Sequence, residues 1–162
     1  MEPNIVELAP IPLIGTHTET SLSENIAPAL WKDFKQRIMP HVLTTNPAFY
    51  SVQQFPAADF ASFNRNTLFR KWAAIASSDV RVVPDNMHAM TLRGLYAVFI
   101  HRGPHNTFGQ TAYYIYNEWL PQSAFQLDHR PHFEKMDHRY LGPLDANSEE
   151  EIWIPVKRKS HS

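Results

Sequence analysis

Two stretches decide the fold: Asn25–Pro40, NIAPALWKDFKQRIMP, and Asn106–Pro121, NTFGQTAYYIYNEWLP. Each opens on asparagine, closes on proline and carries apolar residues at helical spacing between them. In the first, Ile26, Leu30, Phe34 and Ile38 recur every fourth residue with Trp31 on the flank, which predicts an amphipathic helix. Asn25 as N-cap would put Pro28 at the third helical position, where its missing N–H costs nothing, and Pro40 stops the helix. In the second, Phe108, Ala112, Ile115, Tyr116 and Trp119 share a face; Asn106 or Thr107 caps the start and Pro121 ends it. Gly109 weakens this helix slightly.

Around the helices the apolar runs read as strands: Ile5 to Thr18, Phe49 to Phe55, Leu68 to Ala76, Met87 to His101, His132 to Met136 and Glu151 to Val156. Pro10 and Pro12 make the first begin as an edge or a bulge, and Gly94 makes the fourth either one bent strand or a pair. Pro56 to Thr67 and Asp137 to Glu150 read as loops. The order is β-α-β-β twice, which invites a test for duplication. An offset of 81 (106 − 25) lays Asn25 on Asn106, Pro40 on Pro121, Trp72 on Trp153 and Gln53 on Glu134. The expected fold is therefore α+β: duplicated β-α-β-β units, an antiparallel sheet with two helices packed on it, and a ligand cleft at the pseudo-twofold junction. Residues 1–162 read as one domain with halves of about 1–81 and 82–162.

Composition bounds the function. A chain of 162 residues can bury a core without staples, and 43% hydrophobic with 19% charged residues is globular composition. The net charge of −1 and scattered basic residues, with only Lys157-Arg158-Lys159 in a run, argue against direct nucleic-acid binding. No cysteine is present, which excludes disulfides, thiol nucleophiles and thiolate metal sites. No apolar run is long enough to span a bilayer and no signal peptide is legible, so a cytoplasmic location with no membrane contact is expected. His129, His132 and Glu134 lie close in sequence, but no metal signature accompanies them, and neither a metal nor another cofactor is expected. GxSxG, GxGxxG and the P-loop are all absent. Arg102-Gly103-Pro104 reads as a plain turn.

Glu134 is the residue that asks for an explanation. It sits in His132-Phe133-Glu134-Lys135-Met136, where alternation turns His132, Glu134 and Met136 to one side and Phe133 and Lys135 to the other. If Phe133 points to the helices, Glu134 looks into the groove between halves. A carboxylate there is costly unless paired, and a bound cation would pair it, helped by nearby aromatic faces. The ordinary alternative is a strand glutamate paired across to a Lys or Arg. Ile152, Ile154 and Val156 form the core face of the last strand, so Trp153 faces away from it, as an exposed ring or a cavity wall; Trp72 is its repeat partner. Tyr50 and Tyr96 are candidates for polar tips in the same cavity, and Trp119 lies on the apolar stripe of its helix. With Met136 beside Glu134, the candidate ligand-binding set is Glu134, Trp72, Tyr50, Trp119, Tyr96, Met136 and Trp153.

The run Gly94-Leu95-Tyr96-Ala97-Val98-Phe99-Ile100-His101-Arg102-Gly103-Pro104 leads into a helix ending Trp119-Leu120-Pro121. Pro131-His132-Phe133-Glu134 and Glu151-Ile152-Trp153-Ile154-Pro155-Val156 follow. This order resembles the GyrI-like, or AraC-type, effector-binding domain of bacterial transcription activators, over nearly the whole chain and most specifically in its second half. The resemblance implies two β-α-β-β units with a pocket at their junction, and a strand glutamate, matched by Glu134, that faces lipophilic cations in multidrug-sensing members. It also implies stand-alone members without a DNA-binding domain, some of them toxin-neutralising and some hydrolases that use the glutamate and a tyrosine. Two residues after the glutamate the family commonly has tyrosine, whereas this chain has Met136, which suits adaptable binding and removes a hydroxyl that a reaction would need.

The expected function is thus a small-molecule binding protein of the effector-domain type, with an aromatic pocket, an acidic counter-charge and a cationic, amphipathic or drug-like ligand. Any influence on transcription would pass through a protein partner, a transcription regulator. The alternative is a small-molecule hydrolase with Glu134 as general base.

Overall fold

Six strands close into a ring in the computed structural model, which describes residues 1–56 and 62–160. The strands are β1 (Asn4–Thr20), β2 (Phe49–Gln54), β3 (Phe69–Ala76), β4 (His88–Arg102), β5 (Phe125–Leu127), β6 (His132–Met136) and β7 (Glu149–Arg158). Their order is β4-β1-β3-β2-β6-β7-β5, and β4 also pairs with β7, so the sheet meets itself and β5 is left as a short flap on β7. Every pairing is antiparallel. The expected α+β arrangement of two β-α-β-β units is present; the closure and β5 are additions that strand periodicity does not announce.

The two units meet where β2 pairs β6. There Val52 lies directly opposite Phe133 (133 − 52 = 81), and Ser51↔Glu134 and Gln53↔His132 flank that pair. A residue opposed to its own repeat equivalent marks the pseudo-twofold axis, so the axis passes through the centre of this strand pair.

Helix α1 (Ala27–Ile38) buries Phe34 and Ile38 against Ile14, Ala73 and Ile75. Ile26, not Asn25, occupies its cap position, which moves Pro28 into the first turn, where a missing N–H is still harmless. Helix α2 starts after Thr107 at Phe108, is α-helical to Tyr114, takes a π turn over Ile115–Trp119 and ends with an α turn over Leu120–Gln122. Pro121 therefore lies inside the last turn and does not end the helix. It brings no N–H to the ladder, and the preceding turn widens to i→i+5 bonding, in which the Leu120 N–H reaches the Ile115 carbonyl. The Asn117 side-chain amide donates to the Tyr113 carbonyl at 3.1 Å.

β1 begins as expected: Asn4 to Pro12 pair β4 alone, with Pro10 in a bulge between Leu8↔Gly94 and Ile11↔Leu92, and pairing with β3 starts only at Leu13. Gly94 keeps β4 continuous there by taking φ +101°. The loop expected over Pro56 to Thr67 has its middle, 57–61, outside the described residues. Among the described residues no helix is long and apolar enough to cross a membrane.

Three clusters make the core. Inside the ring are Leu13, Tyr50, Val52, Trp72, Ala74, Leu92, Tyr96, Val98, Phe133 and Trp153. Outside, α1 covers the face of β1 and β3, and the α2 residues cover Ala97, Phe99, Ile152 and Ile154 of β4 and β7. Between the helices lies the outer face of β2 and β6, which is floored by polar residues.

Candidate functional site

The outer face of the central strands is fixed by register. Ser51 opposes Glu134, Glu134 opposes Ile152, and Gln53 opposes Lys71, so these side chains share the helix-bearing side. Phe133 opposes Val52 and Trp153 and points into the ring, away from the helices. The expectation that Phe133 meets the helices is thus reversed, and Glu134 still faces the groove between the two units because the groove lies on the helix side.

Glu134 keeps some contact with solvent. The Gln53 amide donates to it at 3.2 Å and also reaches the Ser51 hydroxyl and carbonyl at 3.3 Å each. The Lys71 ammonium donates to the same Ser51 hydroxyl at 3.3 Å. Glu150, two residues before Ile152, lies on this face too, diagonal to Glu134. Burial pushes both carboxyls up to about 7; Lys71 pulls each down, and Glu150 adds to the rise at Glu134. One lysine thus faces two carboxyls that ionise reluctantly.

Rings surround this floor. Trp31 of α1 meets Phe49 edge-on at 6.0 Å, and the Lys35 ammonium lies 4.9 Å from the Phe49 ring. Phe49 is the cross-strand partner of Met136. At the other end Phe55 packs on Phe63, Phe69 and His132 at 4.9–5.3 Å. The π turn of α2 brings the Tyr116 hydroxyl to 3.1 Å from Nδ1 of His132. Burial holds His132 neutral by lowering its pKa to about 3, and burial followed by the charge of Glu134 raises that of Tyr116. Burial, followed by the charge of Glu150, raises the pKa of Tyr140.

The candidate residues fall on two sides of the sheet. Glu134 and Met136 line the groove. Tyr50, Trp72, Tyr96 and Trp153 come together inside the ring around Phe133, which stacks on Trp153 at 5.0 Å. Three of their polar tips find partners there: Trp72 donates to Gln54 at 2.7 Å, Trp153 to Glu151 at 2.9 Å and Tyr96 to the Pro131 carbonyl at 2.7 Å. Burial pushes Tyr50 and Tyr96 up to about 12. Trp119 packs edge-on against Phe99 at 5.1 Å, on the β5 side of α2. His129 Nε2 approaches the Phe55 carbonyl at 3.2 Å, so His129, His132 and Glu134 do not converge on one point. The duplication had already set Gln53 against Glu134; the groove residues that sequence reasoning missed are Lys71 as a charge beside Glu134, Glu150 as a second acid, and Tyr116, Trp31, Phe49 and Phe55 as rings. Odd-numbered alternation along β2, which sets Phe49, Ser51 and Gln53 on one face, is the signal that could have found three of the groove positions.

The two raised carboxyls set a pH dependence. The folded chain holds each proton more tightly than the unfolded chain, in which glutamate titrates near 4.5. Their contribution to stability is complete below that value and declines as pH rises to about 7. His132 acts in the opposite sense on the acid side, so the difference between variant and parent is the informative quantity. Glu134→Gln is expected to gain stability relative to the parent as pH rises from about 4.5 to about 7, at up to roughly 1.4 kcal/mol per pH unit. Urea unfolding across that range checks this, and a difference independent of pH would contradict it.

A model of the family described as a GyrI-like small molecule binding domain matches residues 1–157. The transcriptional regulator BrlR of Pseudomonas aeruginosa is 34% identical over 61 residues, a match covering 38% of this chain and 23% of that protein. SAV2435, solved bound to tetraphenylphosphonium, superimposes with a TM-score of 0.66 at 18% identity, over 97% of this chain and 94% of that one. A hydrolase encoded by lin2189 from Listeria innocua superimposes with a TM-score of 0.58 at 11% identity, over 96% and 92%. At those identities the solved structures show a shared fold.

Proposed function

The chain belongs to the GyrI-like family of small-molecule binding domains, and on that premise we propose that it holds a small organic cation in the groove between its helices, with Glu134 as the counter-charge. The observation that carries this reading is the imbalance of the groove floor. Two half-buried carboxyls, Glu134 and Glu150, share a single lysine, and burial alone drives both towards the neutral form. A cation entering the groove relieves that cost by pairing with the carboxylate, and the rings of Phe55 and Tyr116 add cation–π attraction, Lys35 already lying over Trp31 and Phe49. Met136 and the π turn of α2 give the walls some capacity to adapt to different shapes. The ring interior, where Tyr50, Trp72, Tyr96 and Trp153 pack, supports the groove from below. The likeness to BrlR supports a sensing role in which a protein partner, a transcription regulator, converts occupancy into a response in the cytoplasm.

Calorimetric titration with tetraphenylphosphonium, and with triphenylphosphine oxide as an uncharged analogue, tests the assignment. Glu134→Gln should weaken the cation roughly ten- to a hundredfold, about 1.4–2.8 kcal/mol, and leave the neutral compound within about twofold. Equal loss for both would remove the charge role of Glu134. Affinity of the parent for the cation should also fall towards tenfold per pH unit below about 6, because the proton competes with the ligand. Trp31 should report binding by a fluorescence change that Trp31→Phe abolishes.

A second reading rests on one observation. A carboxyl near 7 suits a general base, and the Tyr116 hydroxyl lies close enough for its titration to feel Glu134, supplying on α2 the hydroxyl that Met136 lacks. Turnover of an activated ester, lost alike in Glu134→Gln and Tyr116→Phe, would establish a hydrolase; saturable binding without turnover leaves the binding reading.

A further inference from the structure

The second acid of the groove bears on which cations fit. We infer that Glu150 and Glu134 clamp one ammonium between them, so that the ligand is a protonated primary or secondary amine in preference to a cation without N–H groups. This rests on the proposed cation site at Glu134 and narrows its ligand class.

Four observations carry the inference. Glu134 opposes Ile152 across β6 and β7, so Glu150 lies diagonally on the same face, roughly 7–8 Å away along the sheet. A nitrogen at the midpoint of such a pair can donate to both carboxylates, whereas a quaternary centre keeps them at the distance of its substituents. Among the described residues Glu150 has no hydrogen-bond donor of its own; His101, its cross-strand partner on β4, spends its ring nitrogens on Thr111, Thr107 and the Pro104 carbonyl. On the floor itself, the two ionised carboxylates and Lys71 leave one negative charge, with Lys35 set apart on the wall over Trp31 and Phe49. Lys71 is itself held on Ser51, on the far side of Glu134 from Glu150, and so leaves the space between the two acids unfilled by its ammonium.

The test compares 3-phenylpropylamine with its N,N,N-trimethyl derivative by calorimetry at pH 8, in the parent, Glu150→Gln and Glu134→Gln. The parent should bind the amine at least tenfold more tightly than the trimethyl compound. Glu150→Gln should erase that preference by weakening the amine about tenfold more than the trimethyl compound, and Glu134→Gln should weaken both. Equal affinities in the parent, or parallel losses for both compounds in Glu150→Gln, would overturn the clamp while leaving a cation site at Glu134. Failure of both compounds to bind the parent, or binding indifferent to Glu134→Gln, would overturn the cation site itself and the clamp with it.

Discussion

Replacing Gly15 by alanine is expected to cost about 3–5 kcal/mol of stability and to lower the melting temperature by on the order of 10 °C. The methyl group has nowhere to go. Gly15 lies opposite Ala74 in the β1–β3 ladder, and a Cβ built there runs into the Ala73 carbonyl oxygen and the Ala74 Cα and Cβ at 2.9 Å. The obstacles are mostly backbone, so no rotamer change relieves them, and β1 would have to part from β3 beneath α1. Overpacking of a core costs less when a flexible side chain can yield. Gly109 is the control, because a Cβ on it meets nothing within 4 Å. Gly109→Ala in α2 should be neutral or stabilising by up to about 1 kcal/mol. A loss below about 1 kcal/mol for Gly15→Ala would mean that the ladder is looser than its register requires.

The second large effect concerns Arg130, a residue that nothing in the sequence singled out. Its guanidinium donates to the Arg93, Leu95 and Val156 carbonyls at 2.6–3.1 Å and to Asp128 at 2.7 Å, and it lies 4.9 Å over the Tyr96 ring. It therefore bolts β4 to β7 at the point where the β1 bulge disturbs the ladder. The hydrogen bond from Arg130 holds the Asp128 carboxyl below its usual range. Arg130→Ala orphans several acceptors at once and should cost about 3–4 kcal/mol. Gly94 is coupled to it, because a Cβ on Gly94 would stand 2.6 Å from the guanidinium Nη1, and φ there is +101°. Gly94→Ala should cost about 3 kcal/mol in the parent but only about 1–2 in the Arg130→Ala background, where backbone strain alone remains. Additive losses within about 0.5 kcal/mol would show that the two do not share a contact.

The apolar spacing of the two helices and the strand pattern were enough to read the architecture, although Asn25 is not the cap of α1 and Pro121 lies inside the last turn of α2. The offset of 81 was legible because it joined Asn25 to Asn106 and Gln53 to Glu134, and the latter two side chains do meet, at 3.2 Å. What stayed hidden was pairing between strands. Alternation tells which residues of β6 share a side and which of β7 do, but only the register Glu134↔Ile152 tells that Glu134 and Trp153 look in opposite directions. The same gap conceals Lys71 and Glu150, whose place beside Glu134 depends on two further registers. Arg130 was invisible because its three carbonyl partners lie on strands distant in sequence. Closure of the ring could not be read because β4 is long enough to serve two neighbours in succession, Asn4↔Val98 with β1 and Tyr96↔Pro155 with β7.

That closure also governs how the chain reaches its native state. Asn4 must find Val98, and Tyr96 must find Pro155, before either contact returns any free energy, and the loops between them have to be drawn in first. Chains dominated by such distant pairings fold in milliseconds to seconds, whereas helical bundles can take microseconds. Until β4 holds both partners, Trp72, Trp153, Phe133 and Tyr96 stand open to solvent as an apolar bowl. The interval before closure is when this protein is most exposed to aggregation, and it is when a chaperone would have something to hold.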